Sequence, residues 1–114
     1  IISRHERRRF PEKCDYITSP GYIDGPDGRK KAGLPVQYPD INVITDLGVM
    51  TIDKNTGLLR LNKLMPGITL EKVSDNTCFS LPIATNISTV DLPSKHELDL
   101  LRRKVDPQKL YLKN

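Results

Sequence analysis

The side chains that could carry chemistry are sparse and dispersed along these 114 residues. The two histidines, His5 and His96, each lie among charged neighbours, a setting typical of exposed histidines rather than of general bases. Cys14 and Cys78 are far apart and do not form a C-x-x-C pair, so we expect two reduced thiols and no metal site. No serine stands in a G-x-S-x-G nucleophile elbow, and no pair of carboxylates is marked as an acid/base couple.

Positive charge gathers near the start of the chain. Residues 1–31 carry eight Lys or Arg against five Asp or Glu, whereas the remainder carries ten against nine. The densest run is Arg4-His5-Glu6-Arg7-Arg8-Arg9. A solvated basic face, an anionic small ligand such as a phosphate-bearing cofactor, and nucleic acid all suit such a run. It has neither interleaved aromatic residues nor a reading motif, so nucleic acid is the weakest of the three.

Length and composition exclude several classes of protein. A chain of 114 residues, 37% hydrophobic and 28% charged, forms one domain at most or a piece of one. No segment approaches the ~20 apolar residues of a membrane span, and no signal peptide opens the chain. We therefore expect a cytoplasmic protein without a membrane partner. Because the chain starts at Ile1 without a Met, we also expect a fragment or a processed product.

Alternating apolar residues and turn residues predict the elements that position these groups. In the first third of the chain, the pattern predicts a strand end at Ile1 and Ile2, a helical turn within 4–13, a strand over 15–18 and a loop over 21–39. A hairpin follows, with strands over 41–52 and 58–64 and a turn at 53–57. The remainder is predicted to contain a helix capped by Thr69, a strand over 79–84, and a helix that begins at the Ser94–Glu97 capping box and ends at Asp106-Pro107. This order is α/β, with a β-hairpin, two short helices and too few strands to close a core.

The predicted loop holds Gly25, Gly28 and Gly33, whose backbone amides could approach a phosphate. Their spacing matches neither a Walker A loop nor a dinucleotide fingerprint, so plain turn chemistry is favoured.

Four blocks follow one another along the chain: HERRRF with DYITSPGYIDGP, VITDLGV, PGITLEKV with NTCF, and LLR followed by Asp106-Pro107. This ordered series resembles the B subunits of glutaconate-type family I CoA-transferases. Each block is short, but they follow the order of the family over essentially the whole chain. Cys78 stands where the family pattern has glycine, which would strain the turn if that position required a positive φ.

The resemblance implies an open α/β subunit that pairs with an A subunit of related fold. Such enzymes move CoA between an acyl-CoA and a carboxylic acid through a glutamyl-CoA thioester. It also implies that residues 1–114 are the C-terminal portion of a single B-subunit domain whose N-terminal half, with the nucleophilic glutamate, is absent. The chain would then contain no catalytic residue and be inactive alone. CoA would be a substrate, no further cofactor would be needed, and the partners would be the missing half, the A subunit and an acyl-CoA.

The family block that best matches contains the turn Ser19-Pro20-Gly21 and Gly25, and it is preceded by His5 and Arg9. The resemblance implies that these six residues line the acyl or CoA site or the subunit interface. The alternative is that His5 and the neighbouring arginines make structural ion pairs with the absent half.

Two other functions stay open. A relative lacking the glutamate could decarboxylate or hydrolyse an acyl-CoA instead of transferring CoA. A chain of a different class could be a non-catalytic binding module that uses its basic N-terminal third.

Overall fold

The computed structural model describes residues 1–23, 25–36 and 40–111. They form one mixed five-stranded sheet with short helices. The strands are β1 (Ile2–Ser3), β2 (Asn42–Thr45), β3 (Gly48–Ile52), β4 (Leu59–Leu64) and β5 (Ile83–Thr89). The helices are α1 (Gly28–Lys31), α2 (Leu70–Asp75) and α3 (Lys95–Leu100), the last continued by a π-helical turn, Leu101–Val105. The predicted α/β class is confirmed.

The strands lie side by side in chain order. The three central strands, β2, β3 and β4, pair antiparallel, with Val43 opposite Met50 and Met50 opposite Leu61. The outer strands pair parallel: β1 on β2, with Ile2 opposite Ile44, and β5 on β4. The β3–β4 register contains a bulge, at which β4 has one more residue than the stretch of β3 that it faces. Such a bulge increases the local twist of the sheet.

The predicted hairpin is confirmed in its turn and in β4. Asp53 Oδ1 accepts the N–H groups of Asn55 (2.8 Å) and Thr56 (3.3 Å), and Gly57 adopts a φ of +71°, which favours glycine. The single strand predicted over 41–52 is wrong, because the chain reverses between β2 and β3.

Two other predicted strands are also wrong. Residues 15–18 form no strand, and Tyr16 and Ile17 are 82% and 67% exposed. Their β-branched and aromatic character is not enough, since a strand also needs a neighbouring edge with which to pair. The strand predicted over 79–84 begins at Ile83, because Phe79 and Leu81 pack against the core cluster instead.

Both predicted helix caps are confirmed. Thr69 Oγ1 accepts the N–H of Lys72 at 3.3 Å and begins α2. Ser94 and Glu97 form the complete capping box at the start of α3. The π-helical turn ends at Asp106, whose N–H donates to Leu101 O at 2.8 Å.

The core lies on one face of the sheet. Its buried members are Phe10, Val43, Leu47, Met50, Leu61 and Val73. The other face is open in this structure: Ile2 is 86% exposed and its register partner Ile44 is 38% exposed. Within residues 1–23, 25–36 and 40–111, none of the helices has the length and apolar character that crossing a bilayer requires.

Candidate functional site

His5 lies at the junction of three separate parts of the chain. Its ring stacks on Phe10, with centroids 4.1 Å apart and planes 14° from parallel. Its Nδ1 is 3.2 Å from Thr45 Oγ1, at the end of β2, and its Nε2 is 2.9 Å from Thr77 Oγ1, just beyond α2. Its backbone N–H donates to Asp46 Oδ1 at 2.7 Å. The imidazole therefore fastens the segment after β1 to the β2–β3 turn and to the end of α2.

The surroundings of Thr45 fix the direction of the first of these hydrogen bonds. Thr45 Oγ1 accepts the N–H groups of Leu47 (3.2 Å) and Gly48 (3.0 Å), which uses both of its lone pairs. A third donor, Nδ1–H, has no lone pair left to receive it. In the contact with Nδ1 of His5 the Thr45 hydroxyl is therefore the donor, and Gly48 O, 3.1 Å away, is a second acceptor for the same proton.

The other side of the ring completes the chain of protons. With Nδ1 as acceptor, a neutral His5 carries its proton on Nε2 and donates it to Thr77 Oγ1. The Thr77 hydroxyl in turn donates to Val73 O at 2.8 Å, inside the last turn of α2. Each hydroxyl and ring proton of Thr45, His5 and Thr77 then has an acceptor, so the hydrogen bonds of the pocket match a neutral imidazole.

The electrostatics agree with this assignment. Burial lowers the pKa of His5 below its ordinary value of 6.5, and the charge of Asp46 opposes that shift only in part. The expectation of an exposed histidine is therefore wrong at His5, which is 4% exposed, whereas it is confirmed at His96. Both ring nitrogens of His5 are occupied by threonines of this chain. The contacts favour a positioning role for this residue, and its place in a ligand site stays a prediction.

Arg9 belongs to a tight turn directly after His5. The Arg9 and Phe10 N–H groups both donate to Glu6 O, at 2.8 and 3.1 Å. Arg9 Nε also donates to Glu6 Oε1 at 2.6 Å, so the closest acceptor of this side chain among the described residues belongs to the same turn.

Cys78 fastens the far side of the same turn. Its N–H donates to Phe10 O at 3.0 Å, and its Sγ lies 3.5 Å from Arg7 O. Cys78 is not among the non-glycine residues with positive φ, so the strain expected at this position does not arise. Both cysteines are free.

The other four predicted site residues lie in the loop before β2. Ser19 and Pro20 are exposed, and Gly21 turns the chain with a φ of +52°. The predicted turn is confirmed by the Ile23 N–H, which donates to Pro20 O at 2.9 Å. The predicted loop over 21–39 also contains the one-turn helix α1, and its members Asp24 and 37–39 lie outside the described residues.

Arg29, on α1, fixes the shape of this loop. Its Nη1 donates to Gly21 O at 2.9 Å and its Nε donates to Pro35 O at 2.7 Å. Gly28 is buried, and a Cβ there would lie 2.5 Å from Tyr22 O, so only glycine suits this close approach. The loop is thus pinned to itself by one arginine and one close backbone contact.

The six predicted residues form two groups rather than one site. Gly25 packs on the hairpin tip, where a Cβ on Gly57 would lie 3.1 Å from Gly25 Cα. Gly57 ends the turn that follows β3, whereas His5 contacts the turn that precedes β3. Five residues of strand separate these two ends, roughly 15 Å. His5 and Arg9 therefore lie at one end of the sheet and Gly25 at the other.

An open cleft of about 480 Å³ lies beside the hairpin tip. Its lining contains two ion pairs, Lys54 Nζ to Asp40 Oδ1 at 2.7 Å and Arg60 Nη1 to Asp53 Oδ2 at 3.1 Å. The Nε of Arg60 is buried and has no hydrogen-bond partner among the described residues. The charges balance, so the cleft by itself has no preference for an anion or a cation.

Sequence reasoning missed the three residues that hold His5. Thr45, Asp46 and Thr77 come from positions 40, 41 and 72 residues away in the chain. Asp46 lies in one of the family blocks and Thr77 in another, but no local spacing connects them to a histidine. In the described part of the chain, no group of three or more His, Cys, Asp or Glu side chains is placed to hold a metal ion.

Comparison with known proteins gives consistent results. The chain is 37% identical over 112 residues to the B subunit of glutaconate CoA-transferase from Acidaminococcus fermentans and 35% identical over 102 residues to the B subunit of 3-oxoadipate CoA-transferase from Pseudomonas knackmussii. These alignments cover 98% and 90% of this chain but 42% and 39% of the relatives. It is also 28% identical over 110 residues to the cholesterol ring-cleaving hydrolase IpdB subunit from Rhodococcus jostii, covering 96% of this chain and 42% of that protein.

A solved structure and a family model match as well. The crystal structure of glutaconate coenzyme A-transferase from Acidaminococcus fermentans superposes with a TM-score of 0.90 at 35% identity, covering 99% of this chain and 43% of that one. The chain thus spans about two fifths of the length of its relatives. The model of the coenzyme A transferase family matches residues 1–76. With this match, and the close superposition of its backbone on the solved transferase, the chain belongs to the coenzyme A transferase family.

Proposed function

We propose that this chain is the C-terminal portion of a B-type subunit in a heteromeric, cytoplasmic CoA-transferase. The enzyme would move CoA between an acyl-CoA and a carboxylic acid of the glutaconate type. The observation that carries the proposal is the likeness of almost the whole chain to the B subunit of a glutaconate CoA-transferase in sequence and to a solved glutaconate CoA-transferase in backbone. An A-type subunit, the remainder of this subunit and the acyl-CoA are the proposed partners, and CoA is a substrate rather than a resident cofactor. The two free cysteines are consistent with a reducing compartment.

In the proposed reaction, a glutamate outside these 114 residues attacks the thioester carbonyl and expels the CoA thiolate. The resulting acyl-glutamyl anhydride is attacked at its glutamyl carbonyl by the thiolate, which forms the glutamyl-CoA thioester and releases the first acid. The second acid then reverses both steps and leaves with CoA. Each step exchanges one acyl bond for another, so no external oxidant or reductant is consumed.

The four glutamates of this chain support a nucleophile elsewhere. Glu12 and Glu71 are exposed to solvent. The pKa of Glu6 is lowered by hydrogen bonds from Arg9 and Arg8, and that of Glu97 by hydrogen bonds from Ser94. A carboxylate committed to such donors is a weaker nucleophile, and none of the four lines a closed pocket in the described residues. Their roles here are surface and capping roles.

We also propose that the loop containing Ser19, Pro20, Gly21 and Gly25 contributes to the acyl or CoA site or to the subunit interface. Two properties support this. The loop follows the basic segment and matches the family block, and Arg29 holds its backbone in a defined shape in which Ser19 and Pro20 stay exposed. His5, at the other end of the sheet, would serve that site indirectly by fixing the segment that leads into the loop, and Arg9 lies in the turn directly after it.

The test uses the complete subunit assembled with its partner subunit. Incubation with acyl-CoA should give a protein species heavier by one CoA, and peptide mapping should place it on a glutamate outside residues 1–114. The 114-residue polypeptide alone should give neither adduct nor turnover. A CoA adduct within these residues, or turnover by the polypeptide alone, would overturn the proposal. Consumption of acyl-CoA without a carboxylic acid acceptor would favour the hydrolase or decarboxylase alternative, and steeply salt-dependent nucleic-acid binding would favour the basic binding module.

A further inference from the structure

Residues 6–9, which we call the arginine turn, combine a fixed backbone with exposed cationic side chains. The backbone is closed by the two N–H groups that donate to Glu6 O. Both flanking residues, His5 and Phe10, are buried and stacked on each other. Arg7, Arg8 and Arg9 are nevertheless exposed. The backbone of the arginine turn is thus held in place, while its guanidinium groups are exposed to solvent.

Two side chains of the arginine turn, those of Arg8 and Arg9, already share one anionic oxygen, whereas Arg7 Nη1 donates to Asp75 O at 3.2 Å. Glu6 Oε1 accepts Arg8 Nε at 3.0 Å and Arg9 Nε at 2.6 Å. The turn carries three positive charges against this single negative one. The Arg8 side chain is 78% exposed, and its terminal nitrogens have no partner among the described residues. These terminal N–H groups form the planar fork that fits two oxygens of one phosphate.

The other basic groups of the chain lack this combination. Arg29 is occupied by the carbonyls of Gly21 and Pro35. The run Arg102–Lys104 lies in the π-helical turn, which has no buried residue and therefore no anchor beneath its charges. Among the described residues, only the arginine turn joins several exposed guanidinium groups to buried flanking residues.

We propose that the arginine turn binds a phosphate group of CoA. This inference rests on the proposed function, since it places part of the proposed substrate on this chain. CoA carries a diphosphate and a 3′-phosphate, and a dianionic phosphate attracts the guanidinium groups more strongly than the single carboxylate of Glu6. A bound phosphate therefore competes with Glu6 for the guanidinium group of Arg8, and the transferred acyl group plays no part in the contact.

The test is calorimetric titration of the complete subunit, assembled with its partner, with CoA, 3′-dephospho-CoA and pantetheine. Arg8→Ala should weaken CoA binding by roughly fivefold or more, as expected for loss of one charge-assisted contact. Pantetheine, which has no diphosphate or 3′-phosphate, should bind both proteins equally. Glu6→Gln should tighten CoA binding, because it removes the competing carboxylate. If Arg8→Ala affects 3′-dephospho-CoA less than CoA, the contact is to the 3′-phosphate; if equally, to the diphosphate.

Arg102→Ala is the matched control, since it removes the same charge from the unanchored basic run and should leave CoA affinity unchanged. Unchanged affinity in Arg8→Ala, equal weakening of pantetheine, or equal weakening by Arg102→Ala would overturn the inference. Loss of assembly with the partner subunit in Arg8→Ala would also overturn it, in favour of a protein contact. The affinity for CoA and the rate of CoA transfer are measured separately. Arg8-dependent CoA binding without transfer would contradict the proposed function alone, and transfer with Arg8-independent binding would contradict this inference alone.

Discussion

A neutral imidazole between two threonine hydroxyls joins three distant parts of the chain at His5. The oxygen of Thr45 has no lone pair left for a second ring proton, so the hydrogen bonds of the pocket favour the neutral imidazole. Burial disfavours the charged form further. At the scale of the residue, protonation of the His5 imidazole therefore destabilises the folded state.

The residue-scale prediction concerns pH. The pKa of His5 in the folded state lies below its unfolded value of 6.5, so between these values the unfolded chain binds more protons. The free energy of unfolding should be insensitive to His5 above about pH 6.5 and should fall as the pH is lowered below it, levelling off under the folded pKa. Urea unfolding of the complete subunit between pH 5 and 8 measures this effect.

The control for this prediction is the exposed histidine. His5→Gln should remove the component of the pH dependence between pH 5.5 and 6.5, where carboxylates titrate little. His96→Gln should leave it unchanged, because that side chain is solvent-exposed. Equal pH profiles for the two variants would show that the buried imidazole does not link protons to folding.

At the scale of elements, identical capping chemistry has different consequences in α2 and α3. Thr69 begins a helix whose Val73 is 2% exposed and belongs to the core. Ser94 begins a helix with no buried residue, and the π-helical turn after it has none either. The first cap is therefore connected to the global fold through packing, whereas the second supports an element with little tertiary anchoring.

The two caps can be compared directly by substitution. Thr69→Ala should lower the global free energy of unfolding by about 1 kcal/mol, the usual effect of losing a cap. Ser94→Ala should leave the global value nearly unchanged and instead accelerate amide hydrogen exchange locally over residues 95–105. Urea unfolding and hydrogen exchange by mass spectrometry distinguish these outcomes. A global loss in Ser94→Ala as large as that in Thr69→Ala would mean that α3 is packed more tightly than its exposure indicates.

A second element-scale prediction concerns the loop before β2. Gly28→Ala places a methyl group 2.5 Å from Tyr22 O, which is backbone and cannot rotate away. The loop must open, at a cost of about 1–3 kcal/mol, and limited proteolysis between residues 12 and 36 should become faster. Lys30→Ala, an exposed change in α1 two residues away, serves as the control and should not alter cleavage. Unchanged proteolysis in Gly28→Ala would show that the loop adapts without opening.

At the scale of the whole molecule, these residues are less compact than a self-contained domain. Their radius of gyration is 16.9 Å, against about 13 Å expected for a compact chain of this length. One face of the sheet is open, and β1 is an edge strand of two residues. Such an edge and face are normally covered in a stable protein. The proposed remainder of the subunit would supply that cover.

This proposal predicts a difference in hydrogen exchange between the 114-residue polypeptide and the complete subunit. The amides of β3 and β4 should be protected in both, because they pair within this chain. The amide of Ile44, which donates to Ile1 O across the β1–β2 edge, should exchange quickly in the polypeptide and slowly in the complete subunit. Equal exchange at Ile44 in the two proteins would indicate that the edge needs no further cover.

The local elements show where sequence reasoning succeeds and where it fails. The Asp53–Gly57 turn and both helix caps follow from contacts between residues a few positions apart, and the structure confirms them. The predictions of a strand at 15–18 and of an earlier start for β5 are wrong, because strand formation depends on which sheet edge is available for pairing. The reversal inside 41–52 depends on the Thr45 hydroxyl, which accepts two backbone N–H groups and stabilises a turn that apolar pattern does not reveal.

The sequence by itself determined the turns, the caps, the α/β class and, through the order of its blocks, the resemblance to the B subunits of CoA-transferases, since all of these depend on short-range spacing or on ordered motifs. Only the tertiary structure decided that His5 is buried and neutral, because its partners Thr45 and Thr77 are brought to it from other elements. It also decided that His5 and Gly25 lie at opposite ends of β3. Closeness along the chain does not fix distance in space once a loop runs along a strand.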